Sequence, residues 1–110
     1  MSFANRIFLT VGVLCQVTRL RKEDFEFIAP PTEYEDVIQS GGKPSTQTDR
    51  GHQYPAAFLI RASGLDKHGC NSAQPLRYTH MDIAGSSGPI PGVPTGAPIL
   101  ALAHAYAVDQ

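Results

Sequence analysis

The sequence contains no tryptophan and only two cysteines in 110 residues. Cys15 and Cys70 match no metal-knuckle spacing and form no disulfide framework, so two reduced thiols of an intracellular protein is the plain reading. An excess of either charge is also missing. Nine Lys and Arg stand against ten Asp and Glu, for a formal net charge of -1. That balance argues against a polyanion-binding surface and makes nucleic acid a poor partner. No repeat and no low-complexity segment occurs. No apolar run is long enough to cross a bilayer, so no membrane association is expected. What the chain has in quantity is ten glycines and nine prolines, which implies long connecting loops. Its hydrophobic fraction of 42% still supports a packed core.

Residues 7–15 read IFLTVGVLC, an uncharged stretch rich in β-branched side chains. It reads as a buried strand. A targeting segment is the alternative, although only Arg6 precedes it with positive charge and Leu14 stands where a lipoprotein cleavage site needs a small residue. A third possibility is that these residues do not belong to the fold. Residues 16–24, QVTRLRKED, read as a solvated connection with local charge pairing, and residues 25–28 as a short extended segment stopped by Pro30 and Pro31.

Further along, Thr32 is placed to cap a short helix, with Glu35 as its capping-box partner and Tyr34, Val37 and Ile38 as its apolar stripe. Gly41 and Gly42 would end it. A second helix begins near Gln53 or Tyr54, because Pro55 is tolerated only in the first turn, and Gly64 closes it. Thr48 or Asp49 would cap this helix, with Asp49, Arg50 and His52 pairing locally at its entrance. Residues 78–84, YTHMDIA, alternate as a strand that carries Tyr78, His80 and Asp82 on one side. Residues 85–94 are too rich in Gly and Pro to be regular. A terminal helix follows Thr95 and Gly96, with Pro98 near its start. The expected order is strand, short helix, helix, strand, helix.

Local chemistry alone yields little. His80 and Asp82 share a face, but no third ligand stands at a diagnostic spacing, so hydrogen bonding is the plain role for them. His68 falls in a loop and reads as exposed, and His104 as a half-buried helix residue. Residues 85–88, GSSG, lack the lysine and spacing of a phosphate loop. They also lack the centred serine of a nucleophile elbow. A tight loop after a strand is nevertheless where open α/β sheets place ligands, so residues 84–88 are the best pocket wall.

Residues 80–85, HMDIAG, followed by Thr95-Gly96 and an apolar helix, resemble the end of the catalytic domain of leucyl aminopeptidases, the M17 metallopeptidase family. The helix at residues 54–63 is similar to the alanine-rich helix that precedes that strand in the family. The stretches DFEFIAPPTEYEDVIQS, GHQYPAAFLIRASGL and GSSGPIPGVPTGAP look most like an animal branch of it. The resemblance runs over residues 17–110, and residues 1–16 form an unmatched apolar segment.

The resemblance implies an incomplete piece of a three-layer α/β/α catalytic domain, about two strands and three helices, from a cytoplasmic enzyme that assembles as a hexamer. In that family two divalent ions, zinc or manganese, activate water to remove N-terminal amino acids from peptides. Their ligands sit largely in an N-T-D-A-E-G-R-L-type motif that is missing from this chain. No catalytic residue and no metal ligand carries over, so the chain alone is expected to bind no such cofactor and to be inactive. The substrate-pocket wall does carry over, onto Ala84 and Ser87. A non-catalytic subunit or interaction module joining aminopeptidase hexamers is the alternative reading.

Overall fold

The computed structural model describes residues 17–39, 41–83 and 85–107. The expectations for residues 1–16 lie outside them. The chain divides into two compact units. One is Arg19–His80, and the described part of the other comprises residues 17–18, 81–83 and 85–107.

The first unit is built on two helices, α1 (Lys22–Phe27) and α2 (Tyr54–Ala62), which pack on each other. Helix α1 replaces the expected solvated connection and extended segment. Asp24 explains it. The Arg21 backbone N–H donates to Asp24 Oδ2 at 2.7 Å, the acid half of a capping box, which satisfies a donor at the helix start. Glu23 and Asp24 also suit the positive end of the helix dipole. Lys22 and Glu26 pair at 3.0 Å on the solvent side, one helical turn apart.

Helix α2 begins at the position expected from Pro55, which occupies its first turn. The expected cap at Thr48 or Asp49 is absent. Instead two 3₁₀ turns, Ser45–Gln47 and Gly51–Gln53, lead the chain into the helix, and Gln53 occupies the cap position without a side-chain cap bond. Ala56 and Ala57 of α2 are buried, which allows α1 to approach closely. The Phe27 ring lies flat on Tyr54, with centroids 3.7 Å apart and 7° between planes. Gly64 closes α2 in the left-handed conformation, with φ 76°, as its position in the sequence predicts. A third 3₁₀ turn, Leu65–His68, follows.

The helix expected from Thr32 does not form. Its local bonds do: the Thr32 hydroxyl donates to the Glu35 carboxylate and accepts from the Tyr34 N–H. The Ile38 N–H, however, donates to the carbonyl of Ile28 at 3.0 Å rather than to a residue four positions back. That bond draws residue 38 to the end of α1 and leaves Tyr34 90% exposed.

In the second unit, α3 (Ile99–Tyr106) is the expected terminal helix, with Pro98 at its cap position. Residues 81–83 of this unit, and 78–80 of the first, belong to no helix and pair with no strand among the described residues. Residues 85–94 are irregular, as the Gly and Pro content predicts, with a turn at 85–87 and a cis peptide bond at Ile90-Pro91. No helix among the described residues is long and apolar enough to cross a membrane.

Candidate functional site

The loop after residue 83 carries the residues predicted to line a substrate pocket. Ala84 lies outside the described residues. Ser87 is exposed, in a turn that Gly85 and Gly88 enable with φ of 77° and 92°. The Gly88 N–H donates to the Gly85 carbonyl at 3.2 Å, closing the turn. The Ser86 N–H and hydroxyl both donate to the carbonyl of Ile83, at 3.2 and 2.5 Å.

Thr95 then locks the far end of the loop. Its N–H donates to the Ser87 carbonyl at 3.1 Å, and its hydroxyl donates to the Ser86 carbonyl. The same hydroxyl accepts from the Ala97 N–H at 3.3 Å. Residues 88–94 therefore form a closed loop whose base is Ser86, Ser87 and Thr95, with Ile90 and Val93 at 96% and 91% exposure. Its backbone is fixed while the Ser87 side chain stays open to solvent. This arrangement can present a small hydroxyl and two apolar side chains to a ligand. It holds no nucleophile–base pair.

A different cluster organises the first unit, and it was not legible as a site. Asp24 is completely buried. Arg50 grips it with both arms of its guanidinium, Nε to Oδ1 at 2.8 Å and a terminal nitrogen to Oδ2 at 2.7 Å. The same nitrogen donates to the Arg19 carbonyl at 2.9 Å. Local pairing among Asp49, Arg50 and His52 was expected, but the partner of Arg50 is 26 residues away. The Arg50 guanidinium holds the Asp24 carboxyl below the usual carboxylate range, against the opposing effect of burial. Arg50 adopts φ 55°, a left-handed conformation uncommon for a side-chain-bearing residue, and the grip on Asp24 offsets the strain. The next residue, Gly51, is buried. A Cβ there would stand 2.4 Å from the Ser45 carbonyl oxygen.

Between α1 and α2 lies an open cavity of about 340 Å³. Phe27, Ile28, Ile38, Tyr54 and Phe58 supply its apolar wall, and Lys43 contributes its one charge. Tyr54 is fixed at its rim by a 2.5 Å bond from its hydroxyl to the Asp49 carbonyl.

The histidines are dispersed in role. His68 is half-buried rather than exposed, with its Nδ1 2.9 Å from the Gln74 carbonyl oxygen. The His80 Nδ1 stands 3.3 Å from the Tyr78 hydroxyl, so these two share a side as the alternation predicts. Burial pushes the Tyr78 phenol above its ordinary range. His104 is exposed on α3, where a half-buried position was expected. Cys70 is an exposed free thiol. Among the described residues no group of three or more His, Cys, Asp or Glu is placed to hold a metal ion.

The chain is 47% identical over 91 residues to a Caenorhabditis elegans protein named "Putative aminopeptidase W07G4.4". The match covers 83% of this chain and 17% of the nematode protein, so the chain corresponds to about a sixth of that relative's length. No family model matches the chain, and no solved structure matches it significantly. Identity at this level over so long a stretch establishes an aminopeptidase-like relationship.

Proposed function

We propose that this chain is the C-terminal part of the catalytic domain of an M17-type leucyl aminopeptidase, a cytoplasmic hexameric hydrolase that removes N-terminal residues from peptides. The observation that carries the proposal is the 47% identity over 91 residues to the nematode aminopeptidase-named protein. The motif HMDIAG at residues 80–85, the Thr95-Gly96 pair and the helix after it support the finer assignment to the M17 family. The three-layer α/β/α architecture belongs to the same proposal and describes the larger body of which this chain supplies one piece.

In such a body Ala84 and Ser87 line the pocket for the first side chain of the peptide substrate. The bonds from Thr95 to Ser86 and Ser87 support this role for Ser87, because they fix the backbone from which its side chain projects. Small residues at both positions leave room for a sizeable N-terminal side chain. The two divalent ions of the family, zinc or manganese, would polarise the scissile carbonyl and supply bound hydroxide. The described residues offer no donor set that fits them, and no hydrolytic step is assigned to this chain. Its contribution is a pocket wall and a structural edge.

The test is the coding sequence directly upstream of the first codon, read from genomic DNA and from full-length transcripts. An in-frame segment encoding an N-T-D-A-E-G-R-L-type motif is the expected result. A gene with no such segment on any transcript would contradict the proposal.

A further inference from the structure

The four tyrosines are held in different ways. Tyr54 is half-buried and stacked on Phe27, and its hydroxyl donates to the Asp49 carbonyl. Tyr78 is 38% exposed, with its hydroxyl 3.3 Å from His80 Nδ1. Tyr106 is 74% exposed but belongs to helix α3, with no carboxylate within two positions. Tyr34 differs from all three. It is 90% exposed, lies outside any helix, and its hydroxyl meets no hydrogen-bond partner among the described residues.

The sequence explains this exposure. Pro30 and Pro31 keep the chain out of a helix after α1. The Ile38 N–H then donates to the Ile28 carbonyl and ties the ends of the loop together. Between them the Thr32 hydroxyl accepts from the Tyr34 N–H and donates to the Glu35 carboxylate, which fixes the turn. Residues 31–36 are all exposed, so the phenol projects from the middle of a short, tied loop. Glu33, Glu35 and Asp36 flank it, and no Lys, Arg or His occurs from residue 28 to residue 42. Three exposed carboxylates mark a solvated segment, not a face waiting for an apolar cover.

We propose that Tyr34 is a phosphorylation site for a tyrosine kinase with a basic substrate groove. An exposed nucleophile on a loop held by few backbone bonds can enter a partner's active site without the unfolding of a helix. The negative charge around it complements a basic groove and speeds productive encounter. In the step itself the Tyr34 oxygen attacks the γ-phosphorus of ATP, which the kinase holds with magnesium. The bond from that phosphorus to the β–γ bridging oxygen breaks, ADP leaves, and the phenolic proton passes to a carboxylate of the kinase. The phosphate adds about 1.5 to 2 negative charges to the loop. The proposal does not rest on the aminopeptidase reading.

The experiment incubates the purified chain with magnesium, ATP and the catalytic domain of a tyrosine kinase selective for acidic peptides. Tandem mass spectrometry locates the phosphate, and radiolabelled ATP gives the rate. The expected result is one phosphate per chain, on Tyr34. Tyr34→Phe should abolish incorporation, and Tyr106→Phe should leave it unchanged. The combined variant Glu33→Gln, Glu35→Gln, Asp36→Asn should lower kcat/KM by about tenfold, as the loss of several exposed charge contacts implies. Circular dichroism checks that each variant keeps its helices. Three results would overturn the proposal: no phosphate on Tyr34, phosphate spread evenly over the four tyrosines, or a neutralised loop modified at the parental rate.

Discussion

The two units of this chain solve the problem of burial in opposite ways. In Arg19–His80 a carboxylate is fully buried, gripped by a guanidinium 26 residues away, and two helices close over Ile28, Ala56 and Ala57. Among the described residues 81–83 and 85–107 of the other unit, Pro98 and Ala101 are buried, and Ile90, Val93, Ile99, Leu100 and Tyr106 are exposed. The first unit holds a partner within itself for its buried carboxylate. The second has a fixed loop backbone but leaves its large side chains outside.

This contrast predicts a graded response to substitution. The largest effect is expected at the grip. Asp24→Ala removes two guanidinium bonds and the bond from the Arg21 N–H, and should cost the first unit about 3 kcal/mol. Urea denaturation followed by circular dichroism measures it. An undiminished midpoint would mean that the buried pair does not organise the unit.

Gly51→Ala should rank next, at about 2 kcal/mol, because its new methyl meets the Ser45 backbone, which cannot move aside as a side chain tip could. In the second unit, Leu102→Asp should change stability by about 0.5 kcal/mol or less, since the side chain is already 40% exposed. A large loss at Leu102 would erase the distinction between the units.

Acidification sharpens the same comparison. An unfolded aspartate titrates near 3.9, and the Asp24 carboxyl in the folded chain lies below its ordinary range. The stabilisation it contributes is therefore present above about pH 4 and is lost as pH falls through the folded value. Thermal unfolding between pH 7 and pH 3 should show a larger loss of stability in the parent than in Asp24→Asn.

The sequence carried some of this and hid the rest for identifiable reasons. Helix α2 was legible because Pro55 and Gly64 mark its two ends by local backbone chemistry. Helix α3 was legible from its alanines and Pro98. Helix α1 was not, because Arg21, Lys22, Glu23 and Asp24 read as solvated charge. Only the distant Arg50 shows that one of them is buried. The helix at Thr32 failed for the complementary reason: its local bonds form, but the Ile38 N–H is committed to Ile28. Ser87 was placed by resemblance, and its backbone bonds to Thr95 depend on a closure over eight residues that periodicity does not encode.

On the proposed reading this chain would supply a pocket wall of an aminopeptidase, and hydrolysis would need side chains from outside the described residues. The most direct measurement is hydrolysis of leucyl-p-nitroanilide with added manganese or zinc, by the pure chain and by the chain combined with the nematode relative lacking its matched residues. No turnover by the chain alone and metal-dependent turnover by the combination are expected. Metal-dependent turnover by the pure chain would contradict that reading.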